Sequence, residues 1–311
     1  METGETAVSL AWHGGASYSL RLAEVEILVD PLFSRPGDYP PWFDEACANP
    51  HAPSLSDFLA DHHPDYLFIT HGHFDHFDLR TVERLAAAVE FTVVGSAEVL
   101  ETCRRVLGLD PRRLTPCPVL GEGWLNLGPK TSARAAALPA PHWFTGAEGS
   151  KVAEKFAARP ERFGAMPCGG PMLGYIFEVF KVSKPAGARP AAGGTAAFRL
   201  WASGDTEPAG FPAVAAAGPF DVALVSCGGR LVNPATRRLE PPYLDEDVLA
   251  RLAVEYVRPR ILVPVHYDLP LFKTPFNPAE LGRRLAALSG GPGSAGPRLL
   301  VPPYNAWVSL V

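Results

Sequence analysis

Apolar positions cluster early in three short runs, AVSLAWH (7–13), ASYSLRL (16–22) and VEILVD (25–30), separated by Gly-Gly and Ala-Glu. Short apolar and β-branched runs broken in this way predict strands. A Pro- and Trp-containing loop is predicted from Pro31 to about Pro64. YLFIT (66–70) reads as a buried strand, LRTVERLAAAV (79–89) has apolar residues at helical spacing, FTVVGS (91–96) returns as a strand, and AEVLETCRRVLG (97–108) is helical again. The later chain repeats this β-α rhythm. Strands are predicted at TSARAAALPA (131–140), MLGYIFEVF (172–180), FRLWASG (198–204), DVALVSC (221–227) and RILVPVH (260–266). Helices are predicted at PAVAAAG (212–218), DEDVLARLAVEYV (245–257) and PAELGRRLAALS (278–289), and LLVPP with AWVSLV closes the sequence.

Two β-then-α halves suggest two mixed sheets face to face with helices outside, an α/β sandwich in one domain over residues 1–311. SKPAGARPAAGG (183–194) and SGGPGSAGP (289–297) read as surface loops, not domain linkers. The 47% hydrophobic and 20% charged composition is that of a globular protein. A net charge of −5 gives no general attraction to phosphate polymers, so nucleic acid is not an expected partner. No positively charged start precedes an apolar run, and no stretch of about 20 uninterrupted apolar residues occurs, so neither a signal peptide nor a membrane span is expected. Five scattered cysteines without a C-x-x-C pair suggest reduced thiols and a cytoplasmic location. Cys227 is expected to be a packed small residue. Homo-oligomerisation is left open.

THGHFDHFD (70–78) concentrates three of the nine histidines and two aspartates into one turn. Neutral histidine is the commonest ligand of a transition metal. His71 and His73, two apart beyond a strand, point to the same side, while Asp75 and His76 turn toward the coming helix and face a second point. The pattern H-x-H-x-D-H arises by chance in on the order of one such chain in a few thousand, which favours ligands over a polar surface turn. Four residues cannot complete two coordination shells, so further ligands are expected at other strand ends. His142, Asp205 and His266 each stand there, although Asp205 also suits a turn.

The order H-x-H-x-D-H (71–76), His142, Asp205, His266 resembles the metallo-β-lactamase superfamily of αββα hydrolases. WHGGASYSLRL…ILVDPLFS, SGDTEPAGFPAVAAAGPFDVALVSCGG and ILVPVHYDLPLFKTPFNPAEL resemble its L-ascorbate-6-phosphate lactonase branch. That branch also resembles the N-acylphosphatidylethanolamine phospholipase D proteins, in which a pair like His142-Trp143 recurs. The resemblance implies that His71, His73 and His142 hold one metal, that Asp75, His76 and His266 hold the other, and that Asp205 bridges. It implies that Asp30 hydrogen-bonds the ligand loop. Gly14-Gly15 departs from the family's frequent Gly-His or Gly-Cys, and His13 is not assigned to the metals.

An all-N/O ligand set suits two divalent ions, zinc, with manganese or iron as alternatives. Two such ions about 3.5–4 Å apart hold a bridging hydroxide at neutral pH, and Asp75 and Asp205 are the carboxylates placed to shuttle its proton. The expected function is opening of a lactone, or cleavage of a related ester, of a small anionic molecule. The alternative is a phospholipase D-like phosphodiesterase acting on a lipid. The long segment 143–170 reads as a lid or binding loop. Trp143, Arg230, Tyr267 and Lys273 are the candidate substrate contacts, with Lys151 and Arg162 as further loop cations.

Overall fold

The computed structural model describes residues 8–35, 37–38, 48–128, 132–142, 171–180, 196–232, 238–240, 244–290 and 296–311. The chain opens with β1 (Val8–Trp12), β2 (Tyr18–Leu22) and β3 (Val25–Val29), an antiparallel meander. It then passes α1 (Leu55–Asp61), β4 (Tyr66–Phe68), α2 (Leu79–Ala88), β5 (Thr92–Gly95), α3 (Ala97–Arg105) and β6 (Leu114–Pro116). Strands β3 to β6 run parallel, so the first sheet is half antiparallel and half parallel.

The second sheet repeats that division. Strands β7 (Leu125–Leu127), β8 (Ala133–Ala140), β9 (Met172–Val179) and β10 (Phe198–Ala202) are antiparallel neighbours. After α4 (Phe211–Ala217) comes β11 (Val222–Ser226), parallel to β10, and the short pair β12 (Leu231–Val232) and β13 (Leu239–Glu240) stands apart. Helix α5 (Glu246–Arg251), β14 (Ile261–Val265), α6 (Pro278–Leu288) and β15 (Arg298–Leu299) complete this half. The last strand, β16 (Trp307–Ser309), crosses back to the first sheet and pairs antiparallel with β1. The sheet orders are β16-β1-β2-β3-β4-β5-β6 and β15-β14-β11-β10-β9-β8-β7. This is the αββα sandwich that the sequence suggested.

Alternation along the strands builds the layers, because successive side chains leave opposite faces. On β9, Leu173, Tyr175, Phe177 and Val179 enter the core between the sheets, and Ile176 packs outward under the helices. On β14, Ile261, Val263 and Val265 face inward and Leu262 outward. Leu28 of β3 joins Phe58, Val82 and Val99 in the layer beneath α1, α2 and α3. Strands covered on both faces read as continuous apolar runs, which is why they were visible in the sequence.

Three features departed from expectation. Helix α1 lies within the stretch predicted as loop; it has seven residues, a Ser54 side chain accepting from the Asp57 N–H, and Phe58 as its buried anchor, so no apolar periodicity could build up. Strands β6 and β7 are three-residue edge pieces too short to alternate visibly. The helix predicted over 245–257 is α-helical to Arg251 and continues as a π-helix over Leu252–Val257, closed by Arg258 at φ 49°. No helix among the described residues is long and apolar enough to cross a membrane.

Candidate metal centre

The site forms where strands end. Asp30 follows β3, His71 stands three residues past the end of β4, His142 follows β8, Asp205 follows β10, and His266 follows β14. Open α/β sheets collect ligands beyond the carboxyl ends of their parallel strands. Gly204 turns the chain at φ 53°, where a Cβ would lie 2.7 Å from Met172 Sδ, so a glycine eases the turn that brings Asp205 in after β10. Asp30 at φ 43° and His266 at φ 73° also adopt left-handed backbone, a disfavoured region for non-glycine residues that concentrates at functional sites.

Seven predicted residues come together as two groups. His71, His73, His142 and Asp205 offer donor atoms within 4.8 Å of one another, and so do Asp75, His76 and His266. In the first group, His71 Nε2 and His142 Nε2 face His73 Nδ1 at 2.9 and 3.1 Å, and His142 Nε2 lies 3.8 Å from Asp205 Oδ2. In the second, His266 Nε2 stands 3.2 Å from Asp75 Oδ2. His76 Nε2 faces Asp205 Oδ1 at 3.2 Å and connects the groups.

Whether cations fit is decided by this geometry. Imidazole nitrogens that converge in this way can share a cation between their lone pairs. His76 Nε2 and Asp205 Oδ1 are both buried and face each other without completing a hydrogen bond. The donors are all nitrogen and oxygen, as borderline divalent ions require. Each group of donors fits a divalent ion.

The outer nitrogens are tied down. Asp30 Oδ2 accepts from His76 Nδ1 at 2.7 Å and from the Thr70 hydroxyl at 2.6 Å, while Asp30 Oδ1 accepts from the Thr70 N–H at 2.7 Å. The same hydroxyl oxygen lies 3.0 Å from His71 Nδ1. A proton on His71 Nδ1 leaves its Nε2 lone pair directed inward, and His76, bonded through Nδ1, would present its Nε2 lone pair once a cation displaced its second proton, a common arrangement around metal-ligating histidines. Asp30 thus bonds Thr70 and His76 at once. Thr70 was missed, since a threonine before a histidine carries no ligand signal. Glu207 Oε1, 3.9 Å from His142 Nδ1, was missed too.

Burial holds the first-group histidines neutral, since the imidazolium loses its water and faces neighbouring histidines. His73 is pushed down to about 4 and His142 to about 3, with His71 well below its ordinary value. For His76 burial acts downward, but Asp205 and Asp30 outweigh it and hold the ring protonated; a cation taking that place would release the proton. Burial raises Asp205 and Asp75, yet both stay well below the carboxylate range. His76 and His266 outweigh burial for Asp205, and the His266 hydrogen bond with the His76 charge does so for Asp75.

Arg230 and Lys273 are exposed and lie side by side, Lys273 N–H donating to Arg230 O at 2.7 Å. The Tyr267 ring packs 5.2 Å from Trp12 and 5.1 Å from Phe276. Trp143, Lys151 and Arg162 lie outside the described residues, as does the loop that contains them. His13 is in neither ligand group; it is fully buried and bonded to Ser19 and Asn305. Cys227 is buried, its thiol pushed up by that burial and donating to Val265 O at 3.4 Å, as a packed residue should.

A family profile described as "Beta-lactamase superfamily domain" matches residues 9–122. The chain is similar to a UPF0173 metal-dependent hydrolase of Pyrobaculum arsenaticum, 26% identical over 284 residues, covering 91% of this chain and 93% of that protein. Among solved structures it is similar to Igni18, a metallo hydrolase from Ignicoccus hospitalis, with TM-score 0.62 and 18% identity over 98% of each chain. It is also similar to an isothiocyanate hydrolase from Delia radicum gut bacteria, with TM-score 0.62 and 16% identity over 96% of this chain and 98% of that one. Likenesses at these identities show a common fold.

Proposed function

We propose that this chain, a metal-dependent hydrolase of the metallo-β-lactamase superfamily, holds two divalent cations and opens a lactone or related ester of a small anionic substrate. The observation that carries the reading is the pair of donor groups, each within 4.8 Å, joined through Asp205 and His76. When bound, the ions supply Lewis acidity and a water made acidic enough to attack at neutral pH.

The chain's own residues do the rest. His71, His73 and His142 stand neutral, so their lone pairs are available without a prior deprotonation. Asp30 and Thr70 fix the His76 and His71 rings, so the donors are set before substrate arrives. Asp75, kept ionised chiefly by its His266 contact, would help hold the second ion and, with Asp205, is a carboxylate that could pass a proton from water to the leaving oxygen. Arg230 and Lys273 offer adjacent positive charges for a carboxylate or phosphate on the substrate.

The test is a panel of lactones, phosphodiesters, thioesters and isothiocyanates assayed with metal-replete protein, alongside its elemental content. Lactone opening with about two ions per chain, lost to a chelator and restored by Zn²⁺ or Mn²⁺, is the expected result. Activity confined to phosphodiesters presented on lipid vesicles would replace it with the phospholipase D-like reading. One iron per chain with oxygen consumption would overturn both.

A further inference from the structure

We propose that Asp268 is a positioning residue for His266, acting through the Gly14–Gly15 turn between β1 and β2. Its carboxylate, only 8% exposed, accepts the Gly15 N–H at Oδ1 over 2.8 Å. Gly15 O in turn accepts the His266 N–H at 2.9 Å and the Trp12 indole N–H at 2.9 Å. Three hydrogen bonds therefore close on one glycine, and two of their partners stand two residues apart, on either side of Tyr267.

His266 needs such a hold. Its backbone sits at φ 73°, and its Nε2 must remain beside Asp75 at 3.2 Å. Side chains in this region persist only where the surroundings over-determine them. A buried carboxylate accepting from an N–H is a strong, directional anchor. The anchored turn tolerates little else: Gly15 lies at φ 54°, and a Cβ there would come within 3.3 Å of Leu269. The second carboxylate oxygen is buried 3.9 Å from His51 Nε2, and the Tyr304 hydroxyl also bonds this carboxylate.

This inference rests on the reading of His266 as a ligand of the second ion. Its test is a stepwise titration of the chelator-stripped full chain with Co²⁺, whose absorption reports each site as it fills. Wild type should take up two equivalents. Asp268→Ala should weaken one equivalent about 10- to 100-fold and leave the other unchanged, and Asp268→Asn, which keeps an oxygen for the Gly15 N–H, should recover most of the loss. An unchanged titration in Asp268→Ala overturns the proposal. So does parallel weakening of both equivalents with a lower Tm, the mark of a merely structural role. Should Asp268→Ala not fold, Gly15→Ala strains the same turn and must weaken the same single equivalent, or the idea fails. A wild type that binds one equivalent overturns this inference and the two-ion reading together. A wild type that binds two equivalents yet hydrolyses nothing removes the reaction alone and leaves the Asp268 comparison decisive.

Discussion

His13 and His62 are as thoroughly buried as His71 and His76, yet the two pairs have opposite surroundings. His13 donates from Nδ1 to Asn305 Oδ1 at 2.9 Å and accepts the Ser19 hydroxyl at Nε2 over 2.8 Å, so a single neutral tautomer satisfies the ring. His62 faces Glu26 at 2.9 Å, and Glu26 also binds Arg21 at 3.1 Å. At the candidate metal centre, by contrast, ring nitrogens are aimed at one another and at carboxylates that already have a histidine. Burial alone does not distinguish a structural histidine from a ligand. Convergence of donor atoms does.

The largest expected effect comes from disrupting that convergence. His73→Ala and Asp205→Ala should reduce turnover below detection and lower the bound metal, while circular dichroism shows an intact fold; near-normal activity in either would end their assignment. His13→Gln, on the other side of the comparison, should leave metal content and turnover unchanged and cost about 1–2 kcal/mol of stability in urea unfolding.

The pH response separates the clusters further. Burial holds His13 down to about 3, below the 6.5 of an exposed histidine. Between those values the unfolded chain binds the extra proton, so the stability due to His13 is complete above about pH 6.5 and drains as the pH falls through the window. The urea midpoint should therefore drop from pH 7 to pH 4 less steeply in His13→Gln than in wild type. Equal slopes would contradict this account of His13.

Arg230→Ala should have the smallest effect. An exposed ionic contact is worth about 0.2–1 kcal/mol, so KM should rise at most about fivefold with kcat nearly unchanged. A larger fall in kcat than rise in KM would place Arg230 in the reaction itself.

What could be read from the sequence follows the same division. H-x-H-x-D-H was visible because four donors share six positions just beyond one strand, and His142, Asp205 and His266 because each follows an apolar run. The sandwich was visible because its central strands are covered on both faces. Thr70 and Asp268 could not be read, since their roles depend on partners brought near only by folding: Asp30 at the end of the neighbouring strand for one, Gly15 near the start of the chain for the other. Helix α1 escaped because one buried phenylalanine is not a pattern.

The pairing of Ser9 with Ser309, where β16 meets β1, has a consequence for how the protein is made. While a ribosome is still adding the later strands, the early histidines have already emerged, and the flank of β1 lies bare and prone to mispairing. His266, which must reach Asp75 across 191 positions, arrives late. The group of Asp75, His76 and His266 therefore assembles only once the later strands have joined the early ones.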